Sequence, residues 1–91
     1  MADMGHKSQE ALVEDIETAA KSVSIGVSYV HYRDRTKRYK VTGLGILEAT
    51  DEVCVIYQAE YGEMITFVRP LKDWSEPVEH DGRTTVRFKE V

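Results

Sequence analysis

The residues of this chain that are best suited to chemistry are aromatic and cationic side chains on one predicted β-hairpin. Tyr57 and Tyr61 come from its first strand and turn, and Arg69 lies at the end of its second strand. Rings beside a guanidinium can stack a planar group while the cation holds an anion. His31 and Trp74 complete a five-residue candidate site. The sequence therefore predicts an aromatic groove that binds a peptide or a small planar or anionic ligand.

A structural interpretation of the same residues competes with the binding hypothesis. Small β domains need aromatic side chains in the core, and Tyr57 and Phe67 suit that role. Arg69 could pair with Glu60 or Glu63 across the hairpin instead of holding a ligand. The two interpretations differ in whether the rings are buried and whether the guanidinium is paired.

A second group of candidate residues is basic. In residues 31–40 five cations stand against Asp34, a sum of +4, although the whole chain carries −4. Basic side chains interleaved with tyrosines can hold phosphates and stack bases, so nucleic-acid binding through the 33–40 turn is an alternative. The negative net charge opposes it. The five cations are Arg33, Arg35, Lys37, Arg38 and Lys40.

Catalysis is a third alternative, with His31 and Glu60 as an acid-base pair. No catalytic site is predicted beyond that pair, because no serine has a nucleophile-elbow context. Histidine, cysteine and carboxylate residues do not recur at a metal-binding spacing, so neither a metal nor another cofactor is predicted. The chain is therefore expected to bind a partner rather than to catalyse a reaction.

The predicted hairpin occupies residues 53–71 and organises the expected fold. Residues 53–57 and 65–68 are mostly β-branched or aromatic, and both faces of each run are largely apolar, which indicates interior strands. A turn is predicted at residues 60–63. Pro70 lacks a backbone donor and ends the second strand.

A predicted strand within residues 38–49 changes phase partway. Tyr39 and Val41 alternate in one register, while Leu44 and Ile46 fall in the opposite one, with Gly43 and Gly45 at the change. Such a change around glycines predicts a bulge or bend that lets one strand serve two sides of a closed sheet.

The remaining segments predict further strands and turns. Residues 26–32 are predicted to form a strand, 33–37 a polar connection and 71–74 a short turn or a single helical turn, and Asp81-Gly82 a tight turn between the last two strands. The predicted fold is mainly β: a small SH3-like β-barrel of five or six antiparallel strands with one N-terminal α-helix.

An amphipathic helix is predicted over residues 8–21, because apolar side chains recur there at helical spacing. Before it, residues 1–7 have no periodicity and are expected to fray. The domain organisation is then a flexible N-terminus with a helix in residues 1–23 and a barrel in residues 24–91. The helix could pack on the barrel, cap its open end or meet a second chain. Its apolar side chains are Leu12, Ile16, Ala19, Ala20 and Val23.

Composition limits the setting. A chain of 91 residues makes one small domain, expected to be a monomer or weak homodimer. The single Cys54 cannot form an intramolecular disulfide, which favours a reducing, cytoplasmic location. No apolar run approaches the roughly 20 residues that span a bilayer, so no membrane partner is expected.

Several short motifs resemble, in order and spacing, a small bacterial family, the domain of unknown function 1653. The match covers residues 24–91. The family's first motif reads Tyr-Arg-His-Tyr-Lys-Gly, whereas this chain has Val30 and Asp34 at two of those positions. The resemblance implies a fold and no established activity. The motifs are Tyr29-Val30-His31-Tyr32-Arg33, Tyr39-Lys40-Val41, Tyr57-Gln58-Ala59-Glu60-Tyr61-Gly62, Phe67-Val68-Arg69-Pro70-Leu71, Val78-Glu79-His80-Asp81-Gly82 and Arg87-Phe88.

Overall fold

The computed structural model describes residues 6–91, which form two helices and seven strands. Residues 1–5, part of the segment expected to fray, lie outside the described residues. The elements are α1 (Gln9–Ala19), β1 (Ser28–His31), β2 (Asp34–Leu47), β3 (Glu52–Ala59), β4 (Thr66–Pro70), α2 (Leu71–Ser75), β5 (Pro77–His80), β6 (Arg83–Val86) and β7 (Phe88–Glu90).

The strands form one antiparallel sheet of five strands and a separate two-stranded hairpin. The order in the larger sheet is β4-β3-β2-β1-β7, and β5 pairs with β6. The mainly β, antiparallel prediction is confirmed. A closed SH3-like barrel is not confirmed: in the described part of the chain β4 and β7 are the two edges of an open sheet, and the β5–β6 hairpin does not bridge them.

The predicted irregularity in β2 is confirmed as a bulge. Val41 pairs with Tyr57, but Gly43 pairs with the next residue of β3, Ile56, so β2 has one extra residue at this point. Because side chains alternate along a strand, the extra residue returns Leu44 to the face that Val41 occupies. One long strand thereby keeps its apolar side chains on one face.

The connection between β1 and β2 differs from the predicted polar segment of residues 33–37. A short turn leads directly into β2 at Asp34, which pairs with His31, whereas Val30 pairs with Arg38. Two neighbouring residues of β1 therefore pair with residues four apart in β2, and residues 35–37 between them have no partner in β1.

Helix α1 packs on the sheet, which is the first of the three placements that the sequence leaves open. The Ser8 hydroxyl accepts a hydrogen bond from the Ala11 N–H at 3.1 Å and caps the helix start. At the other end Ala19 and Val23 are buried, 2% and 1% exposed. The helix contacts β2 and β3.

The core lies between the helices and one face of the sheet. Val41 and Val55 are fully buried there, and Trp74 of α2 packs over them in the same cluster. The Trp74 ring stacks on Phe88 with centroids 3.8 Å apart and planes 5° apart. Tyr57 meets the same indole edge-on at 5.1 Å. Trp74 therefore joins α2, β3 and β7.

Among residues 6–91, neither helix has the length and apolar character needed to cross a membrane.

We predict that Val41→Ala lowers the free energy of unfolding by about 2 kcal/mol, because two methyl groups leave a filled core at roughly 0.8 kcal/mol each and a cavity adds to the loss. Val68→Ala removes the same atoms from β4 at a side chain that is 63% exposed, and should change stability by less than about 0.5 kcal/mol. Urea denaturation of both variants measures the difference, and equal losses would contradict this core.

Candidate ligand-binding site

An open pocket of about 230 Å³ lies on the face of the sheet that also carries the core. We call it the aromatic-arginine pocket. Four of its six lining side chains are aromatic rings, and the other two are an imidazole and a guanidinium. They are His31, Tyr39, Tyr57, Phe67, Arg69 and Phe88.

Strand pairing explains how residues distant in sequence meet in this pocket. Tyr57 pairs with Phe67, and His31 pairs with Phe88. Arg69 lies two residues beyond Phe67 on β4, so both side chains project from the same face. Side chains from all five strands of the larger sheet therefore meet on one face and form a single concave surface.

The pocket has a buried floor and an open rim. Tyr57 and Phe88 are 5% and 7% exposed, whereas Phe67 is 39% exposed. His31 and Arg69 are half-buried. The floor rings belong to the core, but the rim side chains are accessible to a ligand.

Arg69 has no carboxylate partner in the described part of the chain. Its Nε donates a hydrogen bond to the Tyr57 hydroxyl at 3.3 Å, and its guanidinium carbon lies 5.5 Å from the centre of the Phe88 ring. The pairing with Glu60 or Glu63 that the structural interpretation requires is not found among residues 6–91. A half-buried cation is thus held by rings and a hydroxyl alone.

His31 is positioned as a neutral imidazole. Its Nδ1 accepts a hydrogen bond from the Arg33 N–H at 3.2 Å, which leaves the proton of the neutral ring on Nε2. Burial lowers the pKa of His31 below 6.5, and the positive charges of Arg69, Arg87 and Arg33 lower it further. At neutral pH the ring brings a hydrogen-bond donor rather than a second charge.

Tyr39 closes another side of the pocket through a contact with Tyr61. The two hydroxyl oxygens are 2.6 Å apart, and burial together with this hydrogen bond raises the pKa of Tyr39 to about 12. The Lys37 ammonium lies 5.1 Å from the centre of the Tyr61 ring. Tyr61 therefore fixes the orientation of a lining residue from outside the pocket.

The structure gathers three of the five residues that the sequence predicts for ligand binding. His31, Tyr57 and Arg69 line the pocket. Tyr61 reaches it only through Tyr39. Trp74 is a correction: it is 5% exposed and lies against Phe88 in the core, because α2 turns its indole toward the sheet.

Three lining residues were not predicted from sequence as members of this aromatic groove. Phe67 and Arg69 are two residues apart on one strand, so their shared face is readable from the sequence once β4 is recognised. Tyr39 and Phe88 lack such a local signal: the pairing of β2 with β3 brings Tyr39 beside the hairpin, and the pairing of β7 with β1 brings Phe88 to the same face.

The basic segment does not form one surface. All five cations are exposed, but Arg38 and Lys40 flank Tyr39 on β2 and project from the opposite face of the sheet. Lys37 lies instead over Tyr61 on the pocket side, and Arg33 donates to the Tyr32 hydroxyl at 3.0 Å in the turn.

The predicted pair of His31 and Glu60 is not brought together. The carboxylate of Glu60 accepts a hydrogen bond from the Ser28 hydroxyl, and Glu60 does not line the pocket that holds His31. Within residues 6–91 no group of three or more histidine, cysteine and carboxylate side chains could hold a metal ion.

A larger groove of about 410 Å³ lies between α1, the start of β3 and α2, but its chemistry is less suited to binding. Lys7 pairs with Asp15 at 2.7 Å, and Lys72 pairs with Glu52 at 3.1 Å, so these charged groups already satisfy one another. No aromatic ring lines this groove. The aromatic-arginine pocket is the better candidate despite its smaller volume.

Comparison with known proteins relates this chain to one family. The family model described as "Protein of unknown function (DUF1653)" matches residues 27–90. The crystal structure of a protein belonging to DUF1653 from Bordetella bronchiseptica is similar, with a TM-score of 0.67 and 30% sequence identity. The alignment covers 78% of this chain and 90% of that one. No match was found among curated proteins.

We predict that the pKa of His31, followed through the imidazole proton resonances in an NMR titration, lies below 6.5 and rises in Arg69→Gln, because one neighbouring positive charge is removed. Arg83→Gln removes an equal charge from β6 and should leave the titration unchanged. The pKa of His31 is lower in the folded protein than in the unfolded chain, so protonation of this imidazole favours unfolding. The contribution of neutral His31 to the free energy of unfolding is therefore complete above pH 6.5 and is lost as the pH falls below it. An unchanged His31 titration in Arg69→Gln would contradict this electrostatic arrangement.

Proposed function

This chain belongs to DUF1653, whose description states no activity, and we propose its function from its own geometry: it is a small binding module. In this proposal the aromatic-arginine pocket holds a planar or anionic ligand, either a small molecule or one side chain of a peptide. A further domain or partner is not required for the pocket to form, because all six lining residues come from one sheet.

One observation carries the proposal: the half-buried Arg69 guanidinium has no carboxylate partner among residues 6–91. Holding a cation away from water is unfavourable unless an opposite charge or hydrogen-bond acceptors compensate it. The Tyr57 hydroxyl supplies one acceptor, at 3.3 Å from Nε, and leaves the terminal nitrogens of the fork available. An anion bound over the rings would complete their hydrogen bonding.

Pocket size supports a small ligand. Sites for drug-sized molecules are about 300–1,000 Å³. The aromatic-arginine pocket, at about 230 Å³, falls below that range. It therefore suits one ring with a polar substituent, and a peptide would insert a single side chain.

The side chains of the pocket support binding rather than catalysis. Neither a carboxylate nor a cysteine or serine nucleophile lines it. His31 is the one lining group that ordinarily titrates near neutrality, and its Nδ1 is occupied by the Arg33 N–H. A general base would need a free lone pair directed at the substrate.

We also propose a reducing, cytoplasmic location. The single Cys54 is buried as a free thiol in β3, and burial raises its pKa, which suppresses the reactive thiolate. An inert thiol in an apolar strand is typical of proteins that do not rely on disulfides.

We predict that a mixture of small planar acids, titrated into the labelled protein, shifts the backbone amide NMR signals of His31, Phe67 and Arg69. Arg69→Gln should weaken this binding about tenfold or more, because a hydrogen bond to a charged group contributes roughly 1.5–3 kcal/mol. Arg35→Gln, which removes an exposed charge from β2, is the matched control and should bind normally. Equal binding by both variants would contradict the proposal.

Nucleic-acid binding through residues 33–40 is the alternative, supported by the exposure of all five cations. It predicts an affinity for a short single-stranded oligonucleotide that falls steeply with salt and is lost in the double variant Arg35→Glu with Lys37→Glu. Because the cations project from different faces, we expect only weak, salt-sensitive shifts. Strong binding that the charge reversal abolishes would favour this alternative over the pocket.

A further inference from the structure

We propose that the ligand of the aromatic-arginine pocket is a monocarboxylate attached to a flat ring, a small aromatic carboxylate. This inference rests on the proposed binding function and specifies its ligand class. It follows from three properties of the pocket: the hydrogen-bonding groups it offers, its charge and the shape of its apolar surface.

Three of the four polar side chains that line the pocket offer hydrogen-bond donors to a ligand, and the hydroxyl of the fourth, Tyr39, is paired with Tyr61. Arg69 can only donate, and its terminal nitrogens have no partner among the hydrogen bonds of residues 6–91. The Tyr57 oxygen accepts from Arg69 Nε, so its own O–H remains to donate. His31 accepts at Nδ1 and keeps its proton on Nε2. A ligand group that only accepts hydrogen bonds complements this set, and a carboxylate has that property.

The charge of the pocket suits a single negative charge. Arg69 is the one lining side chain that is charged at neutral pH. Arg87, which acts on His31 from nearby, is already held by the Asp73 carbonyl at 2.8 Å and the Glu76 carboxylate at 3.0 Å. One guanidinium fork matches one carboxylate in a planar, bidentate arrangement, whereas a phosphate dianion would lack a second cation.

The apolar surface suits a flat ring. Tyr39 and Phe67 both approach Tyr57, each with ring centroids 5.8 Å away, at interplanar angles of 77° and 30°. Aromatic groups prefer such edge-on and tilted contacts, which a ligand ring can extend. The volume of about 230 Å³ accommodates one ring and its substituent.

The test is an amide NMR titration with four probes that separate charge from shape. Benzoate has both properties, benzamide has the ring without the charge, cyclohexanecarboxylate has the charge without the flat ring, and phenyl phosphate carries a second charge. We expect benzoate to shift the pocket signals most strongly. Benzamide should bind about tenfold or more weakly, because it loses the charge-assisted hydrogen bonds.

Two variants identify the groups responsible. Arg69→Lys keeps the positive charge but loses the planar fork, and should weaken benzoate several-fold. Tyr57→Phe keeps the ring and removes one hydrogen-bond donor. It should weaken the binding of benzoate while leaving the preference for benzoate over cyclohexanecarboxylate nearly unchanged. Arg35→Gln is the control with unchanged binding, and dispersed spectra establish that each variant is folded. Bound benzoate should also raise the pKa of His31, since it places a negative charge beside the imidazole.

Two sources could present this chemistry, a free aromatic acid or a peptide ending in phenylalanine. A short peptide with a free terminal carboxyl, compared with its amidated form, distinguishes them. Tighter binding of the free-acid peptide than of benzoate supports a carboxylate ligand and identifies it as the C-terminus of a peptide. Tighter binding of benzoate supports the small molecule.

Other outcomes overturn the inference. Equal binding of benzoate and benzamide, or preference for phenyl phosphate, excludes a monocarboxylate while leaving the pocket as a binding site. If no acid binds but an uncharged planar compound or an amidated peptide shifts the same signals, the inference fails and the proposed function stands. If no probe or peptide shifts the pocket signals, both fail.

Discussion

The stacking of Phe88 on Trp74 connects the core of this protein to its pocket. Phe88 is contributed by the short last strand, β7, and Trp74 by a helix of five residues, α2, and their parallel rings are 3.8 Å apart. Phe88 also forms part of the pocket, where Arg69 lies 5.5 Å from its ring centre. Loss of this contact would therefore affect stability and the shape of the pocket together.

The pocket exists because one face of an open sheet is only partly covered. Helix α1 and the short helix α2 pack over the part of the face that holds Val41 and Val55. Beyond α2 the same face continues across Tyr57 to Phe67, whose ring is 39% exposed. Apolar surface left open beside a core is available for binding. The rings thus fill the core at the floor and face solvent at the rim, so a core role for Tyr57 and Phe88 is compatible with the proposed ligand-binding role of the pocket.

Electrostatics distinguish the pocket from the other polar surfaces. The larger groove beside α1 has its charges paired within the protein, and the basic residues of β2 are divided between two faces. Among the cations of residues 6–91, Arg69 alone combines partial burial, contact with rings and unused donors. Burial lowers the pKa of the neighbouring His31 and the charge of Arg69 lowers it further, so an anion bound in the pocket would offset part of the shift and favour proton uptake by the imidazole.

The sequence by itself determined the local features of this protein. Helical spacing located α1, the phase change around residues 43–45 located the bulge of β2, and residue types located the strands of the hairpin, because each of these depends on neighbours along the chain. Tyr57 and Arg69 could be selected for the same reason. Tertiary structure alone decided that the sheet stays open, that Trp74 faces the core, and that Tyr39 and Phe88 join the site. Those outcomes depend on contacts between elements, such as the pairing of β1 with β7 and the packing of α2 on the sheet, and local periodicity does not encode such contacts.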